Sequence, residues 1–211
     1  MRLPLPQFIA QPRHPEHVAE VIETSSVEFL AQCLEPEDLS FPVMPAFGSW
    51  VKSADEESGS QIYAVVCHAT TSPIDSIHRA RALGLSLSEL REQQPQIFAM
   101  LKTEFKAAIV GFNTGQSIYQ HLPPRPPQIH QAVYCCAAPE ILDFTTKFDF
   151  LRTLLQIPSV PVDALVAATI REIYQLRQLD HAWLVQAGRS LSLLLKEDYD
   201  RLQAILSQIH P

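Results

Sequence analysis

Glycine is scarce, with six residues in a chain of 211. No Gly-x-x-x-x-Gly-Lys-Ser/Thr, Gly-x-Gly-x-x-Gly or Gly-x-Ser-x-Gly occurs. The backbone cradles for phosphates and dinucleotides are therefore missing, as is the nucleophile elbow of the α/β-hydrolases. Cysteine is equally sparse: Cys33, Cys67, Cys135 and Cys136 include no Cys-x-x-Cys pair. A zinc site or dithiol redox motif needs that spacing. Each cysteine has apolar neighbours, so the expectation is four buried free thiols. Lysine and arginine form no block, and the net charge is −7. Nucleic-acid affinity rests on clustered positive charge, so DNA or RNA is a disfavoured partner. No stretch approaches the ~20 apolar residues of a membrane span. Met1-Arg2-Leu3-Pro4-Leu5-Pro6 has no apolar run of signal-peptide length. A cytoplasmic protein without an integral membrane segment is expected, in a compartment that keeps thiols reduced.

What is present is an ordinary globular composition, 46% hydrophobic and 18% charged. A chain of this length buries roughly 70% of its unfolded surface and needs no metal or disulfide to build a core. The organising stretch is His17 to Cys33. Val18-Ala19-Glu20-Val21-Ile22-Glu23 and Val27-Glu28-Phe29-Leu30-Ala31-Gln32-Cys33-Leu34 are partly alternating and flank Thr24-Ser25-Ser26. That pattern predicts a half-buried hairpin. A single helix from Glu16 to Leu34 is the rival, weakened by Val21-Ile22 and by the Ser/Thr break.

In chain order, residues 1–16 form a proline-rich lead-in and Glu35 to Pro45 a proline-broken loop. Phe47 to Lys52 reads as a strand entered through Gly48, and Ala54 to Ser60 as an acidic turn. Gln61 to Thr70 is the clearest strand. Its apolar run from Ile62 to Cys67 suits a strand covered on both faces, and Thr71-Ser72-Pro73 ends it. Residues 76–94 are helical, with Ser86-Leu87-Ser88-Glu89 as a capping box. Thr103 to Phe112 is a strand, Asn113 to Gln116 a turn, and Ser117 to Leu122 a return strand. Pro123-Pro124-Arg125-Pro126-Pro127 is a stiff connector, and Gln131 to Cys136 the last strand. From Pro139 the period changes to helical. Short helices are expected within Glu140–Leu155, longer ones over Val162–Leu179, His181–Leu195 and Glu197–Ile209, with Asp180 as a cap. Strands first and helices last predict an α+β fold: a small six-stranded β-barrel with a helical insertion, then a C-terminal helical unit. The expected division is 1–138 for the barrel, insertion at about 74–101, and 139–211 for the helices.

The segment Val18 to Phe29, the later Phe47-Gly48-Ser49-Trp50-Val51 and the strand Ile62-Tyr63-Ala64-Val65-Val66 resemble the HAS-barrel domain. That domain is the small barrel at the N-terminus of HerA-type translocases and of rotary ATP synthase subunits. The strand to Phe112 and the Pro-Pro-Arg-Pro-Pro connector look like that family's barrel exit. The resemblance spans roughly residues 16–136. In the translocases a P-loop ATPase follows; here that motif is missing, so ATP hydrolysis does not carry over. The resemblance implies assembly and partner docking.

Catalytic constellations are weak. Cys67 and His68 are strand neighbours and point to opposite faces. The eight histidines form no His-x-x-x-His or His-Glu-x-x-His; His14 and His17 lie three apart among prolines. Glu20, Glu23 and Glu28 read as a solvated strand face rather than an acid/base pair. No catalytic residue, metal ligand or cofactor is assigned. Trp50 and Arg125 are assigned to partner contact, Arg125 because a rigid proline frame loses little entropy on docking; a plain connector is the competing reading. The expected function is a non-enzymatic interaction protein, an adaptor or assembly factor, with a protein partner and with association to a membrane complex left open. The first alternative is a small-molecule binder or enzyme with a site at the barrel–helix junction near His68, His121 and Tyr134. The second is an accessory to a nucleic-acid-processing ATPase.

Overall fold

The computed structural model describes residues 16–35, 44–74, 81–158 and 160–209. The lead-in up to residue 15, much of the proline loop, the start of the expected 76–94 helix, and His14, His78 and His210 lie outside the described residues. Strand β1 (His17–Thr24) pairs antiparallel with β2 (Glu28–Cys33), Ala19 facing Cys33 and Thr24 facing Phe29. The hairpin reading therefore holds and the helix does not. Ser25 closes the turn: its N–H and hydroxyl both reach the Glu28 carbonyl at 2.9 Å, and its Oγ accepts from the Glu28 N–H. A serine that bonds its own backbone in this way takes residues out of a helix.

The remaining strands are β3 (Trp50–Asp55), β4 (Ser60–Pro73), β5 (Leu101–Asn113), β6 (Ile118–Tyr119) and β7 (Ala132–Cys135). All pairings are antiparallel. The order β2-β1-β7-β3-β4-β5, closed by β2 on β5, makes a six-stranded barrel; β6 is an appendage on β5. Small and large side chains alternate inside: Ala19, Ala31, Ala64 and Ala107 sit among Phe29 and Phe105, all sealed from solvent. A barrel of this size is filled by its own side chains.

Strand β4 shows why the run Ile62–Cys67 has no polar interruption. Ile62, Ala64 and Val66 point into the barrel, whereas Tyr63, Val65 and Cys67 point outward into a second core. That core is roofed by helices α3 (Ala138–Phe144), α4 (Phe150–Leu154), α5 (Val162–Leu176), α6 (His181–Leu194) and α7 (Tyr199–Ile209). The central α5 is buried on most of its circumference. Asp180 caps α6, accepting from Ala182 N–H at 2.9 Å and Trp183 N–H at 3.2 Å. The helical unit thus packs directly on one flank of the barrel. Lys52 on β3 adds an ion pair to Glu140 on α3, at 2.5 Å.

Four local expectations shift. The strand placed at Phe47 begins at Trp50, because Gly48 turns at φ +88° with no room for a Cβ beside Ala168. Thr71-Ser72-Pro73 does not end β4; those residues continue it, paired to Thr103, Lys102 and Leu101. Proline is tolerated there at the strand's last position. The return strand Ser117–Leu122 shrinks to Ile118–Tyr119, because the Gln120 side chain is drawn into the helices. Within the described part of the insertion, regular helix is confined to α1 (Leu87–Gln93) and α2 (Gln96–Ala99). The Ser86/Glu89 capping box forms as expected: Glu89 N–H reaches Ser86 Oγ at 3.3 Å, and Ser86 N–H reaches the Glu89 carboxylate at 2.7 Å.

Candidate functional site

Trp50 is not a surface residue. It is 2% exposed and packs edge-on against Phe144 at 5.3 Å and Phe150 at 5.6 Å. The fold spends this residue on the barrel–helix seam, so a partner has no access to it while the helices are in place. Arg125 lies on the outside, about half exposed, and pairs with Glu57 in the β3–β4 turn. Gln128 Nε2 reaches the same carboxylate at 3.4 Å. The proline segment is therefore tied to one end of the barrel.

His68, His121 and Tyr134 do not converge. His68 pairs with Lys106 on β5. The His121 ring sits against Phe112 and Tyr119, at 5.4 and 5.5 Å. Lys106 and Phe112 are six residues apart on one strand, which separates the two histidines by roughly 20 Å. Tyr134, on β7, lies beside the His17 ring at 5.2 Å. Phe112 and Tyr119 stack, and the His121 ring meets both at an angle.

The cysteines are poorly placed for nucleophilic work. Burial pushes the Cys33 and Cys67 thiols up to about 11. Burial, then Glu140, raises Cys136; burial, then Glu16 and Glu172, raises Cys135. A thiol held above its usual range carries little thiolate at neutral pH. Cys33 on β2 and Cys135 on β7 are separated by β1, since Ala19 pairs with Cys33 on one side and Val133 on the other. Two interstrand spacings exceed the reach of a disulfide. Among the described residues, no group of three His, Cys, Asp or Glu side chains is placed to hold a metal ion. Glu20 and Glu28 do not pair with each other: Glu28 reaches Lys106 at 3.3 Å, and Glu20 lies 4.0 Å from His130.

Two features escaped sequence reasoning. The first is Glu172 on α5, whose carboxyl is pushed up to about 7 by burial. It shares a helix face with Ala168 and Thr169, the residues against which Gly48 packs. The second is a cleft of about 390 Å³ between the β5–β6 turn and the α3–α4 turn. Its floor is fixed by Gln120. The Nε2 donates to the carbonyls of Phe144 and Lys147 at 2.5 and 3.1 Å, and Oε1 accepts from Phe150 N–H at 3.1 Å. Neither feature has a sequence signal, because the cleft joins residues 113–120 to 143–147 and Glu172 looks like an ordinary helix glutamate.

Among the described residues no helix is long and apolar enough to cross a membrane. In comparisons with known proteins, residues 18–113 match the family model of the HAS barrel domain. The match covers β1 to β5, so β7, which completes the barrel, lies beyond it. No curated protein matches the chain.

Proposed function

From the match of residues 18–113 to the HAS barrel domain, we propose that this chain is a non-enzymatic interaction protein, an adaptor or assembly factor that docks a protein partner through the barrel and its helical unit. One observation carries this reading: the barrel is filled. Among the described residues its interior side chains are sealed from solvent, which supports a barrel that works through its outside. Helices α3 to α7 cover one flank. On the outer side of these helices large apolar side chains face solvent, including Leu193 on α6, 78% exposed, and Tyr199 on α7, 67% exposed. Both lie on the solvent side of the helical unit, where a partner can reach them. The sequence carries no P-loop motif, and the chain's acidity weighs against a nucleic-acid accessory. Arg125 at the barrel end and the α6–α7 face are the contact regions; Trp50 instead holds α3 and α4 on the barrel through Phe144 and Phe150.

A test is affinity purification of the tagged chain from its own cell extract at moderate salt, followed by mass spectrometry. A stoichiometric protein that stays bound supports docking. Recovery of the chain by itself, together with turnover of a substrate lost on changing a single cleft residue, would overturn it.

A further inference from the structure

We infer that the cleft between the β5–β6 turn and the α3–α4 turn is a binding site for a small zwitterion of the free amino-acid class. This goes beyond the docking role and does not depend on it. The cleft measures about 390 Å³, within the range of small-molecule sites. Asp143 and Lys147 both border it, one helical turn apart in sequence. Opposite charges at that spacing ordinarily attract, yet these two form no ion pair, and neither side chain makes another hydrogen bond among the described residues. The backbone explains the separation. Helix α3 stops at Phe144, and Gln120 holds the carbonyls of Phe144 and Lys147, fixing the turn that carries Lys147. The result is an ammonium and a carboxylate that border one cavity, both exposed and not paired with each other. The exposed polar residues Gln116 and Ser117 also line it. A ligand carrying a carboxylate toward Lys147 and an ammonium toward Asp143 satisfies both charges. Ile118, half-buried beside the cleft, supplies apolar surface for its side group.

The test is amide-resolved NMR of the full chain titrated with each standard free amino acid at millimolar concentration. Shifts should concentrate at Gly115–Ile118 and Asp143–Lys147 for a subset of them. The same amino acids acetylated and amidated, which carry neither charge, should bind about tenfold weaker or less, as should D143N and K147Q, since each leaves one charge unpaired. Both variants change exposed side chains, so the spectrum outside the cleft reports that the fold is intact. No cleft shifts with any amino acid, or equal binding by the blocked analogues, would overturn the inference.

Discussion

Replacing Glu172 with glutamine should stabilise the protein at high pH and leave it unchanged at low pH. The Glu172 carboxyl titrates at about 7 in the folded chain, against an ordinary value of 4.5, because burial penalises its charged form. The folded state therefore keeps a proton that the unfolded chain releases near pH 4.5. Stability linked to this group is fully present below pH 4.5 and is lost as pH rises through about 7. Complete transfer of that difference would be about 3 kcal/mol, at 1.36 kcal/mol per tenfold. The side chain retains some contact with water, which screens the penalty, so about 1–2 kcal/mol is the working magnitude. Glutamine mimics the protonated form at every pH. Urea unfolding of the two proteins should give matching midpoints at pH 4.5 and a higher midpoint for E172Q above pH 7. Every other carboxylate is common to both, so the difference isolates this one. An E172Q protein less stable than the parent above pH 7 would refute the reasoning, because it would mean the carboxylate has a stabilising partner.

Trp50→Ala should cost about 3–5 kcal/mol by emptying the seam between barrel and helices. Trp50→Phe should cost far less: the indole N–H has no hydrogen-bond partner among the described residues, so only volume is lost, and urea denaturation separates the two. Gly111→Ala should destabilise by about 1–3 kcal/mol, since the added Cβ would lie 2.2 Å from the Tyr119 carbonyl oxygen. Circular dichroism melts would show this, and loss of the Phe112–Tyr119 ring contact in NMR would locate it at β6. Ser86→Ala should remove the α1 capping box at about 1 kcal/mol but barely move the global melting point. Helix α1 buries no residue, so the loss should appear as faster hydrogen exchange in residues 87–93 alone.

Much of the architecture was legible because the physics is local. The alternation around Ser25 gives the hairpin, and the unbroken apolar run of β4 signals cover on both faces. The 3.6-residue spacing after Pro139 gives the helices. Partner choice between distant segments is not local. Nothing near Trp50 says that Phe144 and Phe150 will cover it, so a tryptophan in a short strand read as a contact residue. Ser117 to Leu122 has strand-like composition, yet Gln120 finds three backbone partners across the α3–α4 turn and the strand ends after two residues. Pro73 read as a stop, but the edge position it occupies needs no amide proton. The cleft and Glu172 were invisible for a related reason. Each depends on which helix face meets which loop, and that is set by the packing of α3 and α5 on the barrel.

The most direct test of the docking role is native mass spectrometry of the chain isolated from its own cells. Docking predicts a species heavier than the 23.7 kDa chain by the mass of a second protein, resolved into the two polypeptides on collisional activation. A chain at its own mass, or carrying only an adduct the size of a small molecule, would contradict that role.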